Sequence, residues 1–311
     1  MSSLTPTLSS DRVPLGIVMM LAFCAIAPLI DVSSKIASQE VSIAQVTFFR
    51  MVFQAVLMAP VVLVLGQSLR LSRRLVWLNI WRSLMLIGST AAFVGAVREM
   101  PLADALAIVF IEPFILLALG ALLFGDQVGP RRIAASVVGF LGALLVIQPN
   151  FAAFGVVALY PLATALFFAF YMLLTRRVAQ EVPPEAMQFH TAWMGTLLML
   201  PALALGHGLG LEGLMLTNPA PQIWFWLMGV GLAASVSHMA MTYALRWAPS
   251  ATLAPLHYLE IVNAVLFGWL FFGDWPNRLS WAGIAIIVAS GLYIIAREQV
   301  LARSARRAAR R

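Results

Sequence analysis

The sequence predicts an all-α integral membrane protein of ten transmembrane helices, arranged as two inverted five-helix repeats. Three observations carry that expectation: a composition suited to lipid, a series of apolar runs long enough to span it, and an internal match between the two halves of the chain.

Hydrophobic residues make up 61% of the 311 residues and charged ones 11%. Soluble domains sit near half apolar and a quarter charged, so this chain needs a bilayer as its solvent. At about 20 apolar residues per crossing, there is room for ten or eleven spans and none for a separate soluble domain. The one cysteine, Cys24, lies inside the first apolar run, which excludes a disulfide framework or a paired-cysteine metal site within the chain. The net charge of +7 does not point to nucleic acid, because six of the twenty basic residues fall in 297–311, where they read as a topology signal beside anionic lipid. The first run, Leu15 to Ile30, has no small-residue cleavage site before Asp31 and Lys35 and is read as a retained span.

Apolar runs bounded by Pro, Gly and charged clusters fall near 14–34, 44–65, 76–97, 101–124, 131–148, 154–175, 186–206, 222–246, 249–272 and 279–296. An even number of spans places both termini on one side. If that side is cytoplasmic it collects Arg12, Arg70, Arg73, Arg74, Arg131, Arg132, Arg176, Arg177, Arg246 and the six tail arginines, fifteen in all, against Lys35, Arg98 and Arg278 on the other. A bias of that size in short loops sets orientation, so both termini are expected in the cytoplasm. Nineteen arginines against one lysine suggest a GC-rich bacterial genome and hence the inner membrane.

Aligning Pro101 with Pro249 gives an offset of 249 − 101 = 148 that holds for about sixty residues, bringing Glu112 onto Glu260, Gly120 onto Gly268 and Phe124-Gly125-Asp126 onto Phe272-Gly273-Asp274. A second offset of 141 brings Gln39-Glu40-Val41 onto Gln180-Glu181-Val182. Each copy holds five expected spans, an odd number, so the second copy enters the membrane from the opposite side. Inverted repeats are the architecture of many secondary transporters, in which two halves rock around a site near the midplane.

These residues carry a family likeness. The chain resembles the EamA-type branch of the drug/metabolite transporter superfamily over nearly all of 14–296, most specifically in Pro101 to Asp126, with its Glu112-Pro113 pair, and in Pro249 to Asp274. The resemblance implies a first repeat over 14–148 and a second over 154–296, flanked by an N-terminal segment 1–13 and a basic tail 297–311. It also implies a secondary carrier of small organic metabolites, with the fifth and tenth helices outside the pathway. The second copy departs from the first in having Ile261 where Pro113 stands and an extra Pro255, which leaves open whether both fourth helices bend at one place.

The candidate substrate- or proton-handling residues are polar groups inside apolar runs, where they are costly and face the bundle interior or a wet cavity. Glu112 and Glu260 come first. Each lies eleven residues past its helix-opening proline, about 16 Å along the axis at ~1.5 Å per residue, and burial disfavours the charged carboxylate, so each is a candidate proton carrier or a structural bond. His257 is one turn before Glu260, and His238 shares a face with Ser235 and Thr242; either is a proton-coupling candidate or a packing residue. Arg50 and Gln54 share a polar face with Thr47, and the cation is expected to pair with Asp31, Glu112 or Glu260, or to bind an anionic group of the solute. Arg82 is read as a snorkelling residue near the inner boundary. Tyr160 and Tyr171, with Thr164 and Phe167, form a stripe that either lines a cavity for a planar or amphipathic solute or simply packs. Small residues on the fifth and tenth spans, Gly139 and Gly283 among them, mark close helix contacts, with a homodimer contact as a candidate. No metal, cofactor or catalytic group is expected, for the chain lacks HExxH and a Walker lysine motif, and the adjacent Ser237 and His238 point to different faces.

The function expected from these readings is secondary active transport of an amino acid-like or aromatic, heterocyclic solute, with protons as a candidate coupling ion. A channel, a receptor or a membrane-embedded enzyme without a recognisable motif is the alternative. Reporters fused at Arg73, Arg131, Arg177 and the C-terminus should all report the cytoplasm; a periplasmic C-terminus would show that the spans are miscounted.

Overall fold

The computed structural model describes residues 12–100, 102–126, 128–148, 155–273 and 275–309. Pro101, Asp274, positions 1–11 of the expected N-terminal segment and Arg310 and Arg311 of the basic tail lie outside the described residues. The regular elements among the described residues are helices. Eight stretches are long and apolar enough to cross a membrane. They are α1 (Val13–Ile26) with α2 (Pro28–Ala37), α3 (Ile43–Val64), α4 (Arg73–Glu99), α8 (Leu159–Val178) with the 3-10 turn before it, α9 (Pro184–Gly208), α10 (Pro221–Trp247), α11 (Ser250–His257) with α12 (Glu260–Phe272), and the first part of α13 (Arg278–Ala309). The stretch expected as the fourth span is broken into α5 (Leu102–Val109) and α6 (Glu112–Phe124), and α7 (Pro130–Ile147) covers the stretch expected as the fifth.

Helix ends follow local chemistry. The Ser42 hydroxyl accepts from the Gln45 N–H at 3.1 Å and that of Ser72 from the Leu75 N–H at 3.4 Å, capping α3 and α4. Proline opens α7, α9 and α10, where its missing N–H costs nothing. Gly125 (φ 66°) and Gly273 (φ 75°) end α6 and α12 in the left-handed conformation that closes a helix.

The two halves share their helix boundaries. Glu112–Phe124 and Glu260–Phe272 are related by 260 − 112 = 148, as are Arg73–Glu99 and Pro221–Trp247 by 221 − 73 = 148. Both fourth helices of the repeats also break at one register, at Phe110-Ile111 and Tyr258-Leu259, so Pro113 and Ile261 do not move the bend. The reason is positional: both lie in the first turn of the second half-helix, where a backbone N–H has no obligatory intrahelical partner. The Tyr258 hydroxyl donates to the carbonyl of Phe110 at 3.1 Å, joining one break to the other. The Cys24 thiol donates to the Leu256 carbonyl at 3.6 Å beside the second break.

Packing relates the halves in pairs: α4 lies on α8 and α10 on α1 and α2, α3 lies on α9, and α7 lies on α13. One pairing is lopsided. Helix α11 packs on α6, whereas the corresponding α5 and α12 have no comparable contact among the described residues. The α7–α13 contact rests on glycine, since a Cβ on Gly283 would stand 2.5 Å from the Gly142 carbonyl oxygen and 2.9 Å from the Val146 nitrogen. Gly139 similarly seats the Tyr258 ring, 2.6 Å from where its Cβ would be.

Where α6 and α11 meet, Arg176 of α8 grips both oxygens of Asp126 at 2.6 and 2.8 Å, and the Ser250 hydroxyl donates to Asp126 at 2.7 Å. Asp126 thus joins three helices. Burial pushes its carboxyl up, but the hydrogen bonds from Arg176 and Ser250 and the guanidinium charge outweigh that and hold it below its ordinary value of 3.8.

Two predictions follow from this packing. Gly283→Val should lower the melting temperature by several degrees, in line with the about 1–3 kcal/mol typical of overpacking, while Gly129→Ala, with open space at its Cβ, should be neutral. Because the folded carboxyl is depressed, the Asp126 bond stabilises fully above 3.8 and is lost as pH falls through the lower folded value. Thermal unfolding should therefore separate the wild type from Asp126→Asn near neutrality and bring the two together in strong acid; a constant gap across that range would contradict the ion pair.

Candidate functional site: a polar cavity between the two helix breaks

The two helix breaks face a cavity of about 710 Å³, counting the space at its mouth. Its lining comes from α1, α2, α3, α4, α5, α6, α8, α10, α11 and α12. None of the lining residues lies on α7 or α13, which keeps the expected fifth and tenth spans away from it.

At its base one imidazole joins the two repeat-related carboxylates. His257 Nδ1 stands 2.7 Å from Glu112 Oε2, and its Nε2 stands 2.8 Å from Glu260 Oε2. Glu112 opens α6 and Glu260 opens α12, so each carboxylate sits at a helix N-terminus, where exposed N–H dipoles favour negative charge. Both bonds need a hydrogen. That requirement is met by an imidazolium between two carboxylates, or by a neutral imidazole with one carboxylic acid; either way the triad carries one net negative charge. A further proton neutralises it, and loss of one breaks a bond. The arms differ in access: the Glu112 side chain is 1% exposed and that of Glu260 12%, and Glu112 Oε1 is buried without a hydrogen-bond partner.

A second polar line runs from the cavity into the bundle. Arg50, 5% exposed, donates through one Nη to Thr90 and through the other to His238 Nε2 at 3.1 Å. Arginine only donates, so Nε2 must accept, which leaves the His238 proton on Nδ1, directed at the Tyr171 hydroxyl oxygen 3.0 Å away. That oxygen also accepts from Arg82 at 2.8 Å. This fixes His238 as a neutral, single tautomer and makes it a poor proton carrier in this arrangement. Arg82 does not snorkel. It is 0% exposed and donates to Thr175 at 2.7 Å, to the Met187 carbonyl at 3.2 Å and to Thr191, with its guanidinium 4.7 Å from the Tyr171 ring centre.

Of the residues singled out from sequence, Glu112, Glu260, His257, His238, Arg50 and Asp31 all line the cavity. The expected pairing of Arg50 with a carboxylate is absent: no carboxylate lies within 4.0 Å of its guanidinium among the described residues. Gln54 is buried beside the cavity, donating to Gln188 at 2.9 Å, while Gln188 donates to the His238 carbonyl and to Thr242. Tyr171 lies one step behind the lining. Tyr160 is 47% exposed and lies outside the lining, packed by Gly95, whose Cβ would meet its ring at 3.3 Å. Of the expected stripe on α8, Thr164 reaches the cavity and Phe167 does not; the ring beside Thr164 in the lining is that of Phe168. Phe23, Phe93 and Phe110 complete the aromatic lining and gave no signal of their own in the sequence. Phe23 and Phe168 stack with centroids 6.4 Å apart, and both lie against His257.

Comparison with known proteins agrees with this architecture. A riboflavin transporter of Rhizobium johnstonii is 32% identical over 223 residues, 71% of each chain. An S-adenosylmethionine uptake transporter of Rickettsia prowazekii is 24% identical, with 91% of this chain and 93% of that one covered. A solved crystal structure superposes with a TM-score of 0.72 at 20% identity, over 95% of this chain and 98% of the other, which shows the fold. The EamA-like transporter family matches residues 14–148 and again 154–296. With apolar helices of spanning length on both sides of a shared polar cavity, this chain is a multi-pass membrane protein and belongs to the EamA-like transporter family.

Proposed function

We propose that this protein is a secondary carrier that moves a small heteroaromatic metabolite across the inner membrane by alternating access, and that the Glu112–His257–Glu260 triad couples movement to protons. The observation that carries the reading is the triad itself: one imidazole bonded to the same residue of each half, at a helix break in each, on the wall of a cavity shared by both halves.

Ten spans in two inverted five-helix repeats, 14–148 and 154–296, account for the matching helix boundaries and for the exchange of packing partners between the halves. With both termini cytoplasmic, α6 and α11 meet at the inner end, closed by Asp126, Arg176 and Ser250, and the unpaired α5 and α12 flank an outer opening. That is an outward-facing state. Movement of α11 from α6 and of α12 towards α5 exchanges the open end, and the two breaks are the hinges such a movement needs. Riboflavin and S-adenosylmethionine, named in two of the relatives, both present a fused nitrogen heterocycle with a hydroxylated arm. Phe23, Phe93, Phe110 and Phe168 offer ring faces to such a solute, and Ser89, Thr90 and Thr164 offer hydroxyls.

Purified protein in proteoliposomes should exchange labelled riboflavin or S-adenosylmethionine saturably, with counterflow, which neither a channel nor an enzyme would show. Glu260, the more accessible arm, is the entry point for the proton. Glu260→Gln should abolish the response of uptake to an imposed pH gradient while solute exchange persists, and Glu112→Gln, deeper and with an oxygen already orphaned, should mainly lower thermal stability. Concentrative uptake by Glu260→Gln with an unchanged pH response would sink proton coupling at this position.

A further inference from the structure

We infer that Arg50 is a carboxylate-binding subsite and that the cavity takes a heteroaromatic solute bearing an amino-acid group, its carboxylate on Arg50 and its ammonium towards Asp31. The inference rests on the cavity being the solute site and adds the charge class that the aromatic lining leaves open.

The argument is one of unpaired charge. Three carboxylates line the cavity, and two of them, Glu112 and Glu260, are already spent on His257. The third, Asp31, makes no hydrogen bond or ion pair among the described residues, although it is close enough to Arg50 and Glu260 to interact with both through space. Arg50 is left with two neutral partners, Thr90 and the single-tautomer His238, and its Nε–H is buried with no acceptor. A buried guanidinium with no carboxylate in hydrogen-bond contact keeps donors to offer, and its plane matches a carboxylate edge to edge. The contrast with Arg82 is instructive: that guanidinium is equally buried but has its donors taken by Thr175, Met187, Thr191 and Tyr171, so it has nothing to offer a ligand. An unpaired cation and an unpaired carboxylate on one cavity wall are the complement of a zwitterion, and Phe23 and Phe168 supply the ring contact beside them.

The test uses matched solutes on the purified, full-length protein, read by thermal stabilisation over a concentration series. S-adenosylmethionine is set against 5′-methylthioadenosine, which keeps the adenosine but lacks the amino-acid group; tryptophan is set against tryptamine, which lacks only the carboxylate; riboflavin is the neutral ring. At least one carboxylate-bearing member should bind about tenfold or more tighter than its partner and than riboflavin, the scale of a lost charged hydrogen bond. Arg50→Gln should bring each pair to parity, and Arg50→Lys, a point charge without the fork, should keep part of the preference. Equal binding within both pairs, binding of riboflavin alone, stabilisation by none of the five, or an acid preference that survives Arg50→Gln would each overturn the subsite. Should Arg50→Gln fail to fold, the matched pairs on wild-type protein decide alone. Counterflow separates this failure from that of the carrier: riboflavin exchange without acid preference sinks only the subsite, whereas acid preference in binding without any counterflow sinks only transport.

Discussion

A single imidazole between two buried carboxylates constrains the rest of the molecule. For His257 to reach Glu112 and Glu260 together, the ends of α5 and α11 and the starts of α6 and α12 must converge, and each helix must break where it does. The breaks free carbonyl groups that an apolar interior cannot hydrate, and other residues supply the donors. Tyr258 satisfies Phe110, and the Tyr258 ring itself has room only because residue 139 is glycine. The small residues of α7 thus serve the centre of the protein without touching its cavity.

Much of the site was legible in the sequence for a simple reason: an ionisable residue in an apolar run is conspicuous whatever its fold. Glu112, Glu260, His257, His238, Arg50 and Asp31 were found that way, and the 148-residue offset related the two glutamates before any coordinates. Partnership was less legible. Arg50 was expected to find a carboxylate, yet the carboxylates near it are bonded to His257 or stand apart. Spacing reports neighbours along a helix, and these partners come from other helices. The aromatic lining was the least legible part, since a phenyl ring is equally at home in lipid, core or cavity. Of the expected stripe on α8 only Thr164 reaches the lining; Tyr160 is at the exposed edge, and the ring on the cavity is that of Phe168. Arg82 was read as a surface-seeking cation because its depth was counted along α4 alone; Thr175 and Thr191, on two other helices, are what allow it to stay buried. The helix breaks escaped periodicity, because Phe110-Ile111 and Tyr258-Leu259 are themselves apolar and the isolated polar residues beside them do not end an apolar run.

Arg82, Tyr171, His238 and Arg50 form one chain of hydrogen bonds, and the direction of donation along it is fixed by chemistry. Two guanidiniums, one at each end, can only give protons; the histidine and the tyrosine oxygen must receive them. A buried network of this kind is costly when half satisfied and rigid when complete. Here it is complete at the Arg82 end and incomplete at the Arg50 end, where the structure meets its cavity.

The halves also share a contact away from the centre. The Arg176 guanidinium lies 4.6 Å from the ring centre of Phe124, and the Lys35 ammonium lies 4.5 Å from that of Phe272, positions related by 272 − 124 = 148 and 176 − 35 = 141. The same cation–aromatic clasp thus sits at the ends of α6 and α12, but with different basic groups. A guanidinium can cover a ring and still hold two carboxylate oxygens and a hydroxyl, as Arg176 does with Asp126 and Ser250; an ammonium is a point charge with no such fork. The two clasps thus differ in what their cations can hold besides the ring. In a chain built of two like halves, one pair of unlike basic side chains is thus enough to give the ends of α6 and α12 different surroundings.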